Sequence, residues 1–157
     1  MLDVQSNLAT TYQALRRREP ALRLRKAAYT GYLKVLGEEH VKTLLEANNY
    51  AAALKILRRF EEAKSLLRKV IPVARRVLGE GHDVTFRMRK GYAWALYMDD
   101  DATLDDLHEA VETLEEIEPI ARRVLGSAHP LAEALADSLR RARTALRETQ
   151  SSAREDN

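Results

Sequence analysis

The chain has 157 residues, of which 45% are apolar and 32% charged, a balance that suits a water-exposed helical protein and excludes a disordered chain. Four prolines and six glycines are too few for the turns of an all-β fold, and no apolar run approaches the ~20 residues that cross a bilayer. The absence of cysteine removes disulfides, thiolate metal sites and thiol nucleophiles, and a cytoplasmic protein is the expectation. The net charge of +2 hides an asymmetry: residues 1–98 hold 19 Lys/Arg against 9 Asp/Glu, and residues 99–157 hold 7 against 15. That distribution bears on partners, not on fold.

In chain order, Val4, Leu8, Tyr12 and Leu15 form one stripe of an amphipathic helix over residues 2–16. Pro20 suits the first turn of a second helix, whose stripe is Leu22, Ala28, Tyr29, Tyr32, Leu33 and Leu36. Gly37 stops it at an expected left-handed C′ position. A second hairpin follows, with Leu44, Ala47, Tyr50, Ala51 and Leu54 before the turn and Ala63, Leu66, Leu67, Val70 and Val77 after it, ending at Gly79. A third runs from Val84 through Met88, Tyr92, Ala95 and Leu96, past Asp99–Asp101, to Leu107, Ala110, Val111, Leu114, Ile117, Leu125 and Gly126. Pro130 opens a final helix with Leu131, Leu135, Leu139, Ala142 and Leu146 on one side and arginines on the other, as a terminal capping helix requires. Pro72 and Pro119 fall inside second helices, where a missing amide predicts a bend.

The punctuation itself repeats. Val35-Leu36-Gly37-Glu38-Glu39-His40 returns as Val77-Leu78-Gly79-Glu80-Gly81-His82 and as Val124-Leu125-Gly126-Ser127-Ala128-His129, with the glycines 42 and then 47 residues apart. A period of this size is the mark of stacked helical repeats. In register, Leu8, Tyr50 and Tyr92 precede Ala9, Ala51 and Ala93, while Ala21, Ala63 and Ala110 open the second helices; small residues there allow close backbone approach.

Asn7-Leu8-Ala9, Asn49-Tyr50-Ala51, Phe60-Glu61-Glu62-Ala63 and Leu125-Gly126-Ser127-Ala128-His129-Pro130 together resemble the tetratricopeptide repeat (TPR) in its 42-residue, kinesin light chain-like form. The resemblance covers roughly residues 2–146. It implies an all-α solenoid: repeats at about 2–37, 41–79 and 83–126, a capping helix at 130–148, a domain over 1–148 and a disordered tail at 149–157. It does not extend to the coiled coil by which kinesin light chains join a motor.

In such arrays first helices line a concave groove that takes a peptide. The matching positions are Ser6, Asn7, Thr10 and Gln13; Leu45, Asn48, Asn49, Ala52 and Lys55; and Arg87, Lys90, Trp94 and Tyr97. Asn side chains bond backbone amides, Lys and Arg pair carboxylates, and Trp and Tyr supply rigid apolar area, so the expected ligand is an acidic peptide of a partner protein. The bland reading makes Trp94 packed core and the asparagines ordinary surface. The alternatives are a structural piece of a longer array and a scaffold that associates with itself through basic units and the acidic 99–118 segment.

Other constellations point elsewhere and fall short. His40, His82 and His129 belong to separate repeats, too far apart to share a zinc, and suit positions just before helices, with Asp83 able to cap. Asp101, Thr103, Asp105 and Glu112 follow EF-hand spacing, but Asp106 occupies the position that needs glycine; Thr103 with Asp106 reads as a capping box. The cations Arg16–Arg18, Arg23, Arg25, Lys26, Arg58, Arg59, Arg68, Lys69, Arg75 and Arg76 lack interleaved aromatics and a reading motif, so sequence-specific nucleic-acid binding is not expected; solvated faces are the default reading, and non-specific nucleic-acid binding through them is the lesser alternative. No phosphate loop, catalytic triad or enclosed carboxylate pair is present. Neither enzyme activity, cofactor, small-molecule substrate nor membrane partner is expected.

Overall fold

A computed structural model describes residues 1–155, and among these the regular structure is entirely helical. The helices are α1 (Leu2–Ala14), α2 (Arg18–Leu36), α3 (Val41–Ile56), α4 (Phe60–Leu78), α5 (Asp83–Tyr97), α6 (Leu104–Leu125) and α7 (Pro130–Glu155). The chain divides into two compact units, Met1–Thr85 and the residues from Phe86 onward.

In the first unit α1 packs on α2, α2 on α3 and α3 on α4. The close approaches are made by the small residues of the repeat register: Ala9, Ala21 and Ala63 are almost wholly buried, as are Ala47 and Ala51. Leu44, Leu54, Phe60, Leu67 and Val70 fill the space between them. α1 is the exception to good burial. Ala9 is its one fully buried residue, and Val4, Leu8 and Leu15 remain 66%, 42% and 65% exposed. Tyr50, in the same register as Leu8, is only 8% exposed.

In the second unit α6 packs on α7, and α5 is tied to α6 by Tyr92, whose hydroxyl donates to Glu109 Oε1 at 2.6 Å. Its core is Phe86, Met88, Ala93, Leu96, Leu107, Ala110, Leu114, Ile117, Ala121 and Leu135. α7 runs to Glu155, past the end at 148 read from the sequence; Thr149 and Gln150 are half-buried, and Ser152 donates back to the Glu148 carbonyl. Residues 156–157 of the expected tail lie outside the described residues.

The helix boundaries follow from three devices. Gly37, Gly79 and Gly126 end α2, α4 and α6 with φ of 84°, 94° and 92° and ψ of 171°, 163° and 150°. This corrects the expected left-handed helical C′ geometry. The chain leaves each helix extended, with the mirror-image φ that only glycine adopts readily. His40, His82 and His129 then start the next helix by accepting a backbone N–H two residues ahead, at 3.1 Å in each case, from Lys42, Val84 and Leu131. His82 thus supplies a cap at the start of α5. Thr103 and Asp106 form the expected capping box at α6, with Thr103 Oγ1 accepting from Asp106 N at 3.1 Å and Asp106 Oδ2 from Thr103 N at 2.9 Å. Neither Pro72 nor Pro119 interrupts its helix; both are exposed, where water can satisfy the carbonyl that each leaves free.

Candidate functional site

The first helices carry the residues expected to bind a peptide, and the two units present them differently. On α1, Asn7 and Gln13 are exposed. Ser6 and Thr10 are engaged from within. Arg25 of α2 donates to Ser6 Oγ at 2.9 Å, to Thr10 Oγ1 at 2.8 Å and to Glu46 Oε1 at 3.0 Å, while Ser6 Oγ donates to Glu46 Oε2 at 2.8 Å. A buried ion pair with two hydroxyls thus joins α1, α2 and α3.

On α3, Leu45 is 42% exposed, and Asn48, Asn49, Ala52 and Lys55 are half-buried one and two turns on, so the five share a face at helical spacing. Asn49 Nδ2 lies 3.4 Å from Glu46 Oε2, which orients its amide beside the ion pair. Asn49 therefore stands at the edge of a polar network and is not isolated surface.

In the second unit Arg87 is exposed and Lys90 and Trp94 are half-buried along one face of α5. Burial holds the Lys90 ammonium below the usual lysine range, Arg87 pushes the same way, and Asp137 of α7 pulls back. Asp137 is itself occupied, with Arg140 Nη2 at 3.1 Å and Arg141 Nε at 2.8 Å. Lys90 is thus a cation in a partly desolvated setting, where an added carboxylate would be favoured. Tyr97 is buried at 8%; burial raises its hydroxyl pKa, and hydrogen bonding to Ser138 opposes that shift. Its ring belongs to the core facing α7 more than to an open surface.

Arg25 is the residue that sequence reasoning placed wrongly. Expected on a solvated face, it is 6% exposed and paired. The signal was present: Arg25 falls between Leu22 and Ala28 at three-residue steps, on the apolar stripe of its own helix. Arg89, on the buried side of α5, likewise pairs with Glu116. Among the described residues no group of three or more His, Asp or Glu could hold a metal, and no helix is long and apolar enough to cross a membrane.

The tetratricopeptide repeat profile matches residues 1–42 and 43–83. Among solved structures, a single-residue variant of the TPR-like repeats of a protein described as a kinesin light chain from Podosopora anserina aligns with a TM-score of 0.79 at 27% identity, covering 98% of this chain and 70% of that one. The same repeats without the substitution align with a TM-score of 0.76 at the same identity and coverage. BtubC (BKLC) from P. vanneervenii aligns at 0.60 with 21% identity over 93% of this chain and 64% of its own, and shares the fold. No curated protein sequence matches.

Proposed function

This chain belongs to the tetratricopeptide repeat family, and from that premise we propose that it captures an acidic peptide segment of a partner protein on the exposed faces of its first helices. Repeats of this family mediate protein–protein interaction on a non-catalytic scaffold. The observation that carries the finer reading is Lys90. Its ammonium is half-buried beside Arg87, and the carboxylate that compensates it, Asp137, is shared with two arginines. An aspartate or glutamate of a ligand would restore the balance, and Trp94 one turn on offers rigid apolar area for the neighbouring residue. In the first unit Leu45, Asn48, Asn49 and Lys55 supply the same three chemistries: apolar contact, amide pairing and positive charge. Asn7, Thr10, Gln13 and Tyr97 are outer or secondary positions in this reading.

Panning a random peptide display library on the wild type and on Asn49→Ala/Lys90→Ala/Trp94→Ala tests it. Enriched peptides rich in Asp and Glu, weakened at least tenfold by the triple variant, are the expected result. Enrichment of peptides without acidic residues, undiminished binding to the variant, or no enrichment at all overturns it.

A second reading, self-association, is favoured by the outer face of α1, where Val4, Leu8 and Leu15 stay exposed. Light scattering at low and high salt decides it: a monomer under both conditions removes it.

A further inference from the structure

α1 leaves an apolar stripe in solvent although the helix is firmly seated. Leu2 packs so close over Gly31 of α2 that a Cβ there would collide with it. Tyr32 fastens Asp3, and Arg25 fastens Ser6 and Thr10. On the side of α1 turned away from these contacts, Val4, Leu8, Thr11 and Leu15 are all exposed. They follow one another at steps of four, three and four residues, which is the 3.5-residue period of a seam between two helices. Thr11 Oγ1 donates to the Asn7 carbonyl at 3.2 Å, so its hydroxyl is satisfied within the helix and a dry seam strands no donor there.

Charge decides what can cover this stripe. Residues 1–85, the first compact unit, hold 16 Lys/Arg against 9 Asp/Glu. Yet the stripe and the positions beside it, Gln5, Asn7, Tyr12 and Ala14, are uncharged. α1 carries a single charged side chain, Asp3, and Tyr32 and Lys42 engage it; every other helix among the described residues carries three or more charges. A charged helix laid on the stripe would lose water and meet no counter-charge. The matching surface is an uncharged helix face with the same spacing, and within this chain α1 itself is that face.

We propose that α1 pairs antiparallel with α1 of a second copy, which rests on the self-association reading and names its contact. In that register Val4 meets Leu15 of the second copy and Leu8 meets Thr11, and the two-fold axis repeats both contacts. Antiparallel pairing sets the helix dipoles in opposite directions and keeps the two Arg16–Arg18 turns at opposite ends; parallel pairing would bring both arginine turns together. Four residues a side make a small interface, so the dimer is transient and depends on concentration. Thr10 and Gln13, of the peptide-binding surface, lie away from the seam and stay open.

The test is light scattering of the full chain, up to about 1 mM protein, at low and high salt. A monomer–dimer equilibrium that tightens with salt is expected, because the seam is apolar and the paired units carry like charge. Leu8→Asp, at an exposed site, is expected to weaken it at least tenfold with helicity by circular dichroism unchanged. The chain has no cysteine, so Val4→Cys and Leu15→Cys report the register cleanly. Under mild oxidation the mixed pair is expected to form a disulfide faster than either variant does alone. A dimer that survives Leu8→Asp, that loosens with salt, or whose cysteine variants show no preference for the mixed pair overturns the seam and leaves self-association to another surface. A monomer throughout overturns the seam and self-association together.

Discussion

Arg25 of α2 and Glu46 of α3 meet with Nη1 3.0 Å from Oε1, their side chains 7% and 4% exposed, and the two hydroxyls of α1 close over them. Desolvation makes such a pair a poor source of net stability, yet breaking it strands a buried charge. Arg25→Met or Glu46→Gln alone is therefore expected to lower unfolding free energy by about 3–5 kcal/mol, while Arg25→Met/Glu46→Leu restores most of it. Urea denaturation of the four proteins gives the cycle directly. A double variant as weak as the singles would show that the pair is a net stabiliser.

The three capping histidines act at separate helix starts. Each of His40→Ala, His82→Ala and His129→Ala is expected to cost about 1 kcal/mol, with Asn in place of Ala recovering most of it because its side-chain oxygen accepts the same N–H. Thermal unfolding of the six variants checks this. Equal losses for Ala and Asn would mean that the imidazoles act by packing.

At Gly37, Gly79 and Gly126 a Cβ would meet nothing within 4 Å, so substitution tests backbone conformation alone. With φ near +90° and extended ψ, Gly→Ala is expected to cost about 1–3 kcal/mol at each site. Denaturation midpoints unchanged by Gly79→Ala would show that the turn relaxes freely.

Arg16 and Arg58 occupy the turns before α2 and α4 with φ of 58° and 57°. Replacing Arg16 by glycine relieves that conformation and is expected to stabilise by about 0.5 kcal/mol, once the entropy of glycine is counted. Arg58→Gly is expected to gain less, because Arg58 also lies over the Phe60 ring at 5.1 Å. The order of the two melting temperatures is the measurement.

Tyr32 donates to Asp3, fastening α1 to α2, and Lys42 lies 3.3 Å from the same carboxylate. The Tyr32 hydrogen bond first, and Lys42 second, hold Asp3 below 3.8, while Asp3 pushes the Tyr32 hydroxyl from 10.0 up to about 12. The depressed carboxylate contributes stability that is complete above pH 3.8 and lost as pH falls below it. The raised phenol contributes stability that is complete below pH 10 and lost as pH climbs towards 12. Urea midpoints across both windows should fall more in wild type than in Asp3→Asn. Parallel curves would show that the contact adds nothing.

The helices, their order and the stops of α2, α4 and α6 were legible in the sequence, because each depends on residues within one or two turns. Apolar spacing set α1–α7, the repeated glycines ended three of them, and Thr103 with Asp106 announced its own cap. The candidate surface was legible only as a face. Its spacing put Leu45, Asn48, Asn49 and Lys55 on one side of α3, and Arg87, Lys90 and Trp94 on one side of α5. Which members are spoken for was settled across helices. Ser6 and Thr10 are taken by Arg25, Asn49 leans on a Glu46 of its own helix that Arg25 of α2 holds, and Tyr97 is drawn into the core facing α7. Helical periodicity records which side of its own helix a residue occupies. It holds nothing about the partner that packing brings to that side, and so the buried charge of Arg25 emerged only from the tertiary structure.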